Sequence, residues 1–328
     1  SRFFNNSLSF SFDWFKKDTK DMLMERPIPL YVGSGSPLSN VGTLTNQGIE
    51  LEVGYKLSVD KVNLSFLANA SYVKNEIKNL GNQTGYIDKE SLPTLGTVSR
   101  NENGYPIGYF FGYKAIGVFQ TQEEIDSYIS PATGKPIQPN AAPGDTKFED
   151  LNGDGVISDD NEDRTMIGKP NPDWMVGLTV AADWNGFDLS AFFQGSFGAD
   201  VFDALRRYEL AAVNYTSDAL ERWTGPGTSN SMPRIVLGDT PKNFRPSTLL
   251  VHDASFLRLR NLQVGYTLPA QLTRKAYIQR LRFYASFDNL LTITGYKGMD
   301  PEIGSTMGID KGVYPQARVY TFGLNLTF

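Results

Sequence analysis

Apolar and polar residues alternate with a period of two along much of the chain. In IELEVGYKL, Ile49, Leu51, Val53, Tyr55 and Leu57 share one face of an extended segment, and Glu50, Glu52, Gly54 and Lys56 share the other. WMVGLTVAADW repeats the pattern: Trp174, Val176, Leu178, Val180, Ala182 and Trp184 lie on one face, with an indole at each end. The same alternation runs through LSFSFDW (Leu8, Phe10, Phe12, Trp14), residues 62–74 (Leu64, Phe66, Ala68, Ala70, Tyr72) and FDLSAFFQG (Phe187, Leu189, Ala191, Phe193). Residues 262–268 (Leu262, Val264, Tyr266, Leu268), LRFYASF and VYTFGLNLTF complete the set. Together these predict about eight strands of roughly the 9–11 residues that a tilted membrane strand uses, with terminal tryptophans suited to interfacial belts.

The connections sharpen this picture. Joins at 58–61, 185–186 and 269–279 are short, those at 17–46, 75–173, 197–255 and 290–317 are long, and the two kinds alternate strictly. A transmembrane β-barrel has tight turns at its periplasmic end and long loops at its extracellular end, whereas a soluble sandwich has no reason to sort its loops this way. The predicted fold is therefore all-β, an antiparallel transmembrane β-barrel with long extracellular loops carrying short helices and a periplasmic carboxyl terminus. Glu50, Glu52, Lys56, Asn63, Ser65, Asn69, Asp188, Gln194, Asn261, Gln263, Ser286 and Asn325 lie opposite the apolar faces and would line a wet lumen. Arg258 and Arg260 count into phase with Leu262 and Val264 near the outer end of their strand. They face either lipopolysaccharide phosphates or, if a bulge turns them, the lumen.

Composition removes several function classes. Of 328 residues, 31 are Lys or Arg and 36 are Asp or Glu, for a formal charge of -5, which is not the balance of a nucleic-acid binder. There is no Cys and a single His, His252, so disulfide scaffolds, thiol nucleophiles, Cys/His zinc sites and His-dependent triads are excluded. No apolar run approaches the ~18–20 residues of a membrane helix. Paired-carboxylate hydrolysis finds only Asp159-Asp160 and Asp13, and adjacent residues diverge rather than converge on a substrate, so no enzyme is predicted. The chain opens on SRFFNN, without initiator Met or secretory h-region, as expected of part of a longer polypeptide.

The long connections carry order of their own. Thr121 and Glu124 form a capping box opening a short helix that ends before Pro131, and ADVFDALRRYEL and SDALERW have helical spacing. Tyr109, Phe110, Phe111, Tyr208 and Trp223 offer a ligand-facing surface or, equally well, pack the loops together. Within the loop region 75–173, DLNGDGVISDD sets Asp150, Asn152 and Asp154 on alternate positions, Gly155 at the bend and Val156 where a backbone carbonyl is used. An ordinary EF-hand would close at Asn161, which cannot replace a bidentate carboxylate; Asp160, Glu162 and Asp163 are near, and Asp163 is favoured with the loop spanning 150–163. Without strong flanking helices the expected role is a structural Ca2+ clamp, with the affinity of extracellular modules, on the order of 10⁻⁴–10⁻³ M.

NLLTITGYKGMDPEI (Asn289 to Ile303), SFLRLRNLQVGYTLP (Ser255 to Pro269), the calcium-type loop followed by RTMIGKPNPDW, and a last strand ending in Phe occur in one order. Together they resemble the carboxyl-terminal part of SusC/RagA-family TonB-dependent transporters. The resemblance implies a portion of a 22-stranded outer-membrane barrel, plugged by an amino-terminal domain that this chain lacks along with a TonB box and signal peptide. It further implies a SusD-like surface lipoprotein as partner, indirect coupling to TonB through the remaining barrel and plug, and import of oligosaccharides or peptides. Tyr109, Phe111, Tyr208 and Trp223 are then the candidate substrate contacts, and Tyr320, Phe322, Leu326 and Phe328 the candidate assembly signal of the terminal strand. The alternative is a surface-exposed glycan-binding or adhesin β-protein.

Overall fold

The computed structural model describes residues 2–4, 7–25, 33, 37–159, 162–210, 213–302 and 307–328. Eight antiparallel strands lie side by side in chain order: β1 (Leu8–Glu25), β2 (Leu38–Val59), β3 (Val62–Asn79), β4 (Trp174–Trp184), β5 (Phe187–Phe197), β6 (Phe256–Thr267), β7 (Arg280–Thr294) and β8 (Val319–Thr327). The two-residue strand Arg2–Phe3 pairs outside β1, and among the described residues nothing joins that edge to β8. The sheet is a partial, open barrel.

The pairing register carries the alternation from strand to strand. Val53 pairs with Ala68, Ala68 with Leu178, and Leu178 with Phe193, so one apolar stripe crosses the wall unbroken. Its upper border is the paired row Trp14, Ile49, Tyr72, Trp174 and Phe197, and its lower border the row Trp184, Phe187, Tyr266 and Phe283. Two aromatic girdles therefore bound the stripe, as expected for a lipid-facing surface. A one-residue slip anywhere would move a whole strand's apolar set to the other face.

The joins sort as the sequence suggests. Asp60-Lys61 links the paired Val59 and Val62, with Asp60 left-handed at φ 53°. Asn185-Gly186 turns with φ of 49° and 87°, the backbone of a type I′ hairpin that suits the strand twist. Residues 268–279 make the third short join, and Arg280 pairs with Thr327, so the carboxyl terminus sits at this same end.

Strand length departs from expectation. β1, β2 and β3 have 18, 22 and 18 residues. At about 3.3 Å per residue and a tilt of about 40°, 18 residues climb roughly 45 Å, well beyond an apolar band about 25 Å tall. Above the Trp14 row the outer face is polar, and the inner face carries a small apolar cluster in which the fully buried Ile77 packs with Leu44 and Met22. Asn75 donates to Asn46 at 2.6 Å and Thr45 donates to Asp18 at 2.6 Å across neighbouring strands, so side-chain bonds accompany the ladder above the apolar stripe. The apolar residues of these upper halves sit on the inner face rather than the outer one, which interrupts the period-two signal, so the sequence places the connections too early.

The connections 80–173, 198–255 and 295–318 fold into one crown at the opposite end from the short turns. Four short strands (Tyr86–Asp88, Ser99–Glu102, Tyr109–Tyr113 and Arg164–Gly168) form one sheet, and Asp200–Asp203, Val251–Asp253 and Ile309–Asp310 another. Val98, Phe110, Phe202, Leu250 and Ile309 meet in a single buried cluster drawn from all three connections. The helix expected from ADVFDALRRYEL is absent: Asp200–Asp203 is a strand, because pairing with Val251–Asp253 and Ile309–Asp310 outweighs local propensity. SDALERW keeps only a 3₁₀ turn, Ser217–Glu221. The predicted cap holds, with helix α1 spanning Gln122–Ser127, the Thr121 hydroxyl accepting from Glu124 N, and the Glu124 carboxylate accepting from Gln120 N at 2.6 Å.

Candidate functional site

The inner face of the wall is mostly polar, and Arg282 and Asp188 form an ion pair on it. Arg282 donates to Asp188 at 2.9 Å and to Gln263 at 3.1 Å, all three on the face opposite the apolar stripe. Higher up, the two arginines left open by the sequence are settled by a bulge. Phe192 pairs with Asn261 but Phe193 pairs with Leu259, leaving Arg260 as an extra residue in β6. Above it Leu257 and Leu259 join the apolar stripe, and Arg258 turns inward opposite Gln194 and Thr292.

These arginines tie the wall to the crown. Arg258, 2 % exposed, donates to Asp300 at 2.5 Å, Glu302 at 3.0 Å and Thr292 at 2.9 Å. Arg260 holds both Glu302 oxygens at 2.6 Å and also donates to Gln194 and Asn289. Asp300 accepts in turn from the Glu302 and Gln316 amides, and Asn289, left-handed at φ 53°, donates to Ala317 O. Two segments with no periodic signal in common, FLRLRN and GMDPE, are therefore one charge network pinning the connection 295–318 to the wall. Buried charges persist only with such complete pairing.

The aromatic candidates are distributed differently from a single ligand face. Tyr109, Phe111 and Tyr208 are 1 %, 3 % and 1 % exposed, inside the crown. Phe111 and its neighbours build a stack in which the Arg100 guanidinium lies over Tyr86 and Phe111, that of Arg164 over Phe111 and Tyr113, and that of Arg245 over Tyr113 and Phe148, with separations of 3.6–5.7 Å. Tyr208 packs with Phe244 and bonds to the Thr216 hydroxyl at 2.7 Å. Trp223, half-buried, donates from its indole to Gln120 Oε1 at 3.1 Å.

In the calcium-type loop Asp150, Asn152, Asp154 and Asp163 cap backbone amides, while Asp159 pairs with Lys242 and Glu162 accepts from the Asn152 side chain. Asp150 accepts from Gly153 N at 2.8 Å and Gly155 N at 2.9 Å, Asn152 from Asp154 N at 3.0 Å, and Asp154 from Val156 N at 2.8 Å. Gly153 and Gly155 have φ of 76° and 89°, which glycine alone adopts freely. Asp163, fully buried, accepts from Leu151 N at 3.1 Å and Ser158 N at 3.3 Å. Burial pushes its carboxyl above the usual carboxylate range, and the nearby charge of Asp150 adds to the effect. Among the described residues no three acidic or histidine side chains gather at metal-holding distance, and Asp160 lies outside the described residues.

Comparison with known proteins agrees with the wall. Residues 1–290 match the family model described as TonB dependent receptor-like, beta-barrel. The chain belongs to the TonB-dependent receptor β-barrel family. It is 33 % identical over 339 aligned residues to TonB-dependent receptor P3 of Formosa agariphila, covering 99 % of this chain and 33 % of that protein. It is 29 % identical to the TonB-dependent receptor SusC of Bacteroides thetaiotaomicron, covering 99 % and 31 %. The solved RagAB peptide transporter superposes with a TM-score of 0.78 at 29 % identity, over 99 % of this chain and 34 % of that one. The chain thus spans about a third of the length of these relatives, and the likeness fits the carboxyl-terminal, SusC/RagA-type part of such a receptor. For a TonB-dependent receptor barrel, the open edges of β1 and β8 are where the rest of the wall would continue.

The terminal strand of this receptor segment carries Tyr320, Phe322, Leu324 and Leu326 on the apolar face, paired with Phe287, Ala285, Phe283 and Leu281. Phe328 follows the last paired residue and is 75 % exposed. Among the arrangements that the sequence left undecided, the inward arginines had a visible signal: the apolar phase shifts between Leu259 and Leu262 across the polar pair Arg260-Asn261.

Proposed function

We propose that this chain forms part of the wall and extracellular crown of an outer-membrane importer that takes up oligomers, peptides or oligosaccharides, together with a SusD-like surface lipoprotein and with energy from TonB. The single observation carrying this is the two-sided wall: an apolar stripe between aromatic girdles on one face, and a mostly polar face bearing charged side chains on the other. Such a sheet is soluble on neither account alone, but suits lipid outside and water inside. With the short turns periplasmic, the crown stands in the extracellular medium where a lipoprotein lid would close on it. The RagAB likeness favours peptide cargo. The test is uptake by the native host: loss of the full-length transporter should abolish import of labelled oligomers, and the protein should leave membranes only with detergent. Release by a high-salt or carbonate wash would support a surface adhesin instead.

We further propose that the loop 150–163 holds a structural calcium ion. Each carboxylate oxygen that caps an amide keeps a second acceptor direction, and the proximity of Asp150 and Asp163 is a repulsion that a cation would relieve. Asp150, Asn152, Asp154, Asp160 and Asp163, with the Val156 carbonyl, would supply the hard oxygen shell calcium takes. Titration of calcium into the chelator-treated full-length protein should give binding with an affinity near 10⁻⁴–10⁻³ M and protect the crown from proteolysis. No binding at millimolar calcium would refute it.

A further inference from the structure

Between the inner face of the wall and the crown lies a cavity of about 270 Å³, to which Met175, Gln194 and Ser196 contribute from β4 and β5, and Asn171, Asp200 and Glu302 from the connections. Prolines 170, 172 and 301 and Val201 supply half of the remaining lining. The cavity is slightly smaller than pockets that enclose whole drug-sized ligands, so it suits the end of an oligomer.

An inventory of its polar atoms shows which are still available. Both Glu302 oxygens are held by Arg258 and Arg260, and Lys169 Nζ is paired with Asp173. Gln194 gives its carbonyl to Arg260 and keeps its N–H groups, while Asn171 gives its N–H to Ile107 O and keeps its carbonyl. Asp200 accepts the Lys169 amide on one oxygen at 3.0 Å, and among the described residues no Lys or Arg side chain forms an ion pair with it. Its strand partner is another acid, Asp253. Burial, reinforced by the charge of Asp253, holds the Asp200 carboxyl above its usual range. Lys169, turned to Asp173, offsets this only in part, and a half-buried carboxylate without a direct ion pair is costly, a cost that a ligand cation would reduce.

We propose that this cavity is a subsite for the amino-terminal end of a peptide, with Asp200 as counter-ion to the α-ammonium group and the free Asn171 carbonyl and Gln194 N–H matching one peptide unit. An ammonium group supplies N–H donors, and Asn171 and Asp200 present acceptors. The apolar lining of Met175, Val201 and the prolines receives a small first side chain. A neutral sugar could donate hydroxyls to the Asp200 carboxylate but brings no charge to offset it, and the one aromatic lining residue, Phe256, is 5 % exposed, too covered to serve as a stacking platform. The inference rests on the import function proposed above and narrows it to peptides with a free amino terminus.

The experiment uses the purified full-length transporter in detergent and tetra-alanine bearing a carboxyl-terminal dye, with its amino terminus free or acetylated. Acetylation should weaken binding at least tenfold in the native protein. Asp200→Asn, which retains an acceptor for the Lys169 amide, should bind both peptides alike, and Asp200→Glu should regain part of the preference. Heat-modifiable migration of each variant checks that it is folded. Equal binding of the two peptides by the native protein, binding of neither, or a preference that survives in Asp200→Asn would overturn the subsite. A parallel uptake assay in the host separates the two levels: import of oligosaccharides without peptide binding overturns the subsite and leaves the importer standing, whereas no import of either class removes both.

Discussion

Leu178→Arg tests which face of the wall meets lipid. Leu178 lies in the apolar stripe, paired with Ala68 and Phe193, and the next residue, Thr179, faces inward. β4 has 11 residues from Trp174 to Trp184. At about 3.3 Å per residue and a tilt of about 40°, those girdle positions are roughly 25 Å apart along the membrane normal, the height of the apolar band. Leu178 is four residues from Trp174, which puts it about 10 Å below the upper girdle and within about 3 Å of the midplane. Arginine on the lipid face at that depth costs about 2–4 kcal/mol. Thr179→Arg, at nearly the same depth, reaches lumen water and should cost less than about 1 kcal/mol, although its neighbours Leu67 and Phe192 are apolar. The measurement is reversible urea unfolding of the full-length protein in lipid vesicles, with outer-membrane abundance as a cellular counterpart. Equal losses at the two positions, or the larger loss at Thr179, would refute the facing of the whole sheet, since the register links every strand to this one.

Deleting Phe328 or replacing it with Glu should lower the amount of folded barrel in the outer membrane while uptake per folded molecule stays constant, read by immunoblot of membranes against labelled-substrate import. Arg258→Ala leaves Asp300 buried without its cation and should destabilise the crown by about 3–5 kcal/mol, seen as proteolysis within 295–318, with Arg258→Ala/Asp300→Ala recovering part of the loss. His252 should titrate below its ordinary 6.5, because burial, aided by Arg206, disfavours its charged form more than Asp203 and Asp218 favour it. Its contribution to stability is then present above pH 6.5 and lost as pH falls through the folded value. Imidazole NMR of His252 in the full-length protein, assigned by its loss in His252→Gln, gives the midpoint, and a value at or above 6.5 contradicts the burial argument.

The strands were legible wherever exactly one face met lipid. Ile49 through Leu57 and Trp174 through Trp184 pair in the alternation their sequences display. The signal failed where the apolar residues changed faces, as in the upper halves of β1–β3, and where pairing partners lay far off in sequence, as for Asp200–Asp203 with Val251–Asp253 and Ile309–Asp310. The Arg258–Asp300 contact spans a loop whose path no local pattern encodes. Tyr109, Phe111 and Tyr208 illustrate the limit for site residues. An aromatic in a loop reads alike whether it awaits a ligand or fills the crown, and only burial tells the two apart.

Arg260 can be viewed as a correction to the strand's counting. Below it β6 places its apolar residues at even numbers, Leu262, Val264 and Tyr266, and above it at odd numbers, Leu257 and Leu259. Pairing of β5 with β6 skips Arg260 and thereby changes parity at the height where the wall gives way to the crown. Losing Arg260 would remove its bonds to Glu302 and Gln194 yet keep every other β6 side chain on its present side. Losing either neighbour, Leu259 or Asn261, would leave the correction without the error it offsets, unless Arg260 itself were drawn into regular pairing. An inner-facing arginine would then join the lipid stripe. Deletions one residue apart therefore differ in kind: the first breaks a latch, the second exchanges inside for outside.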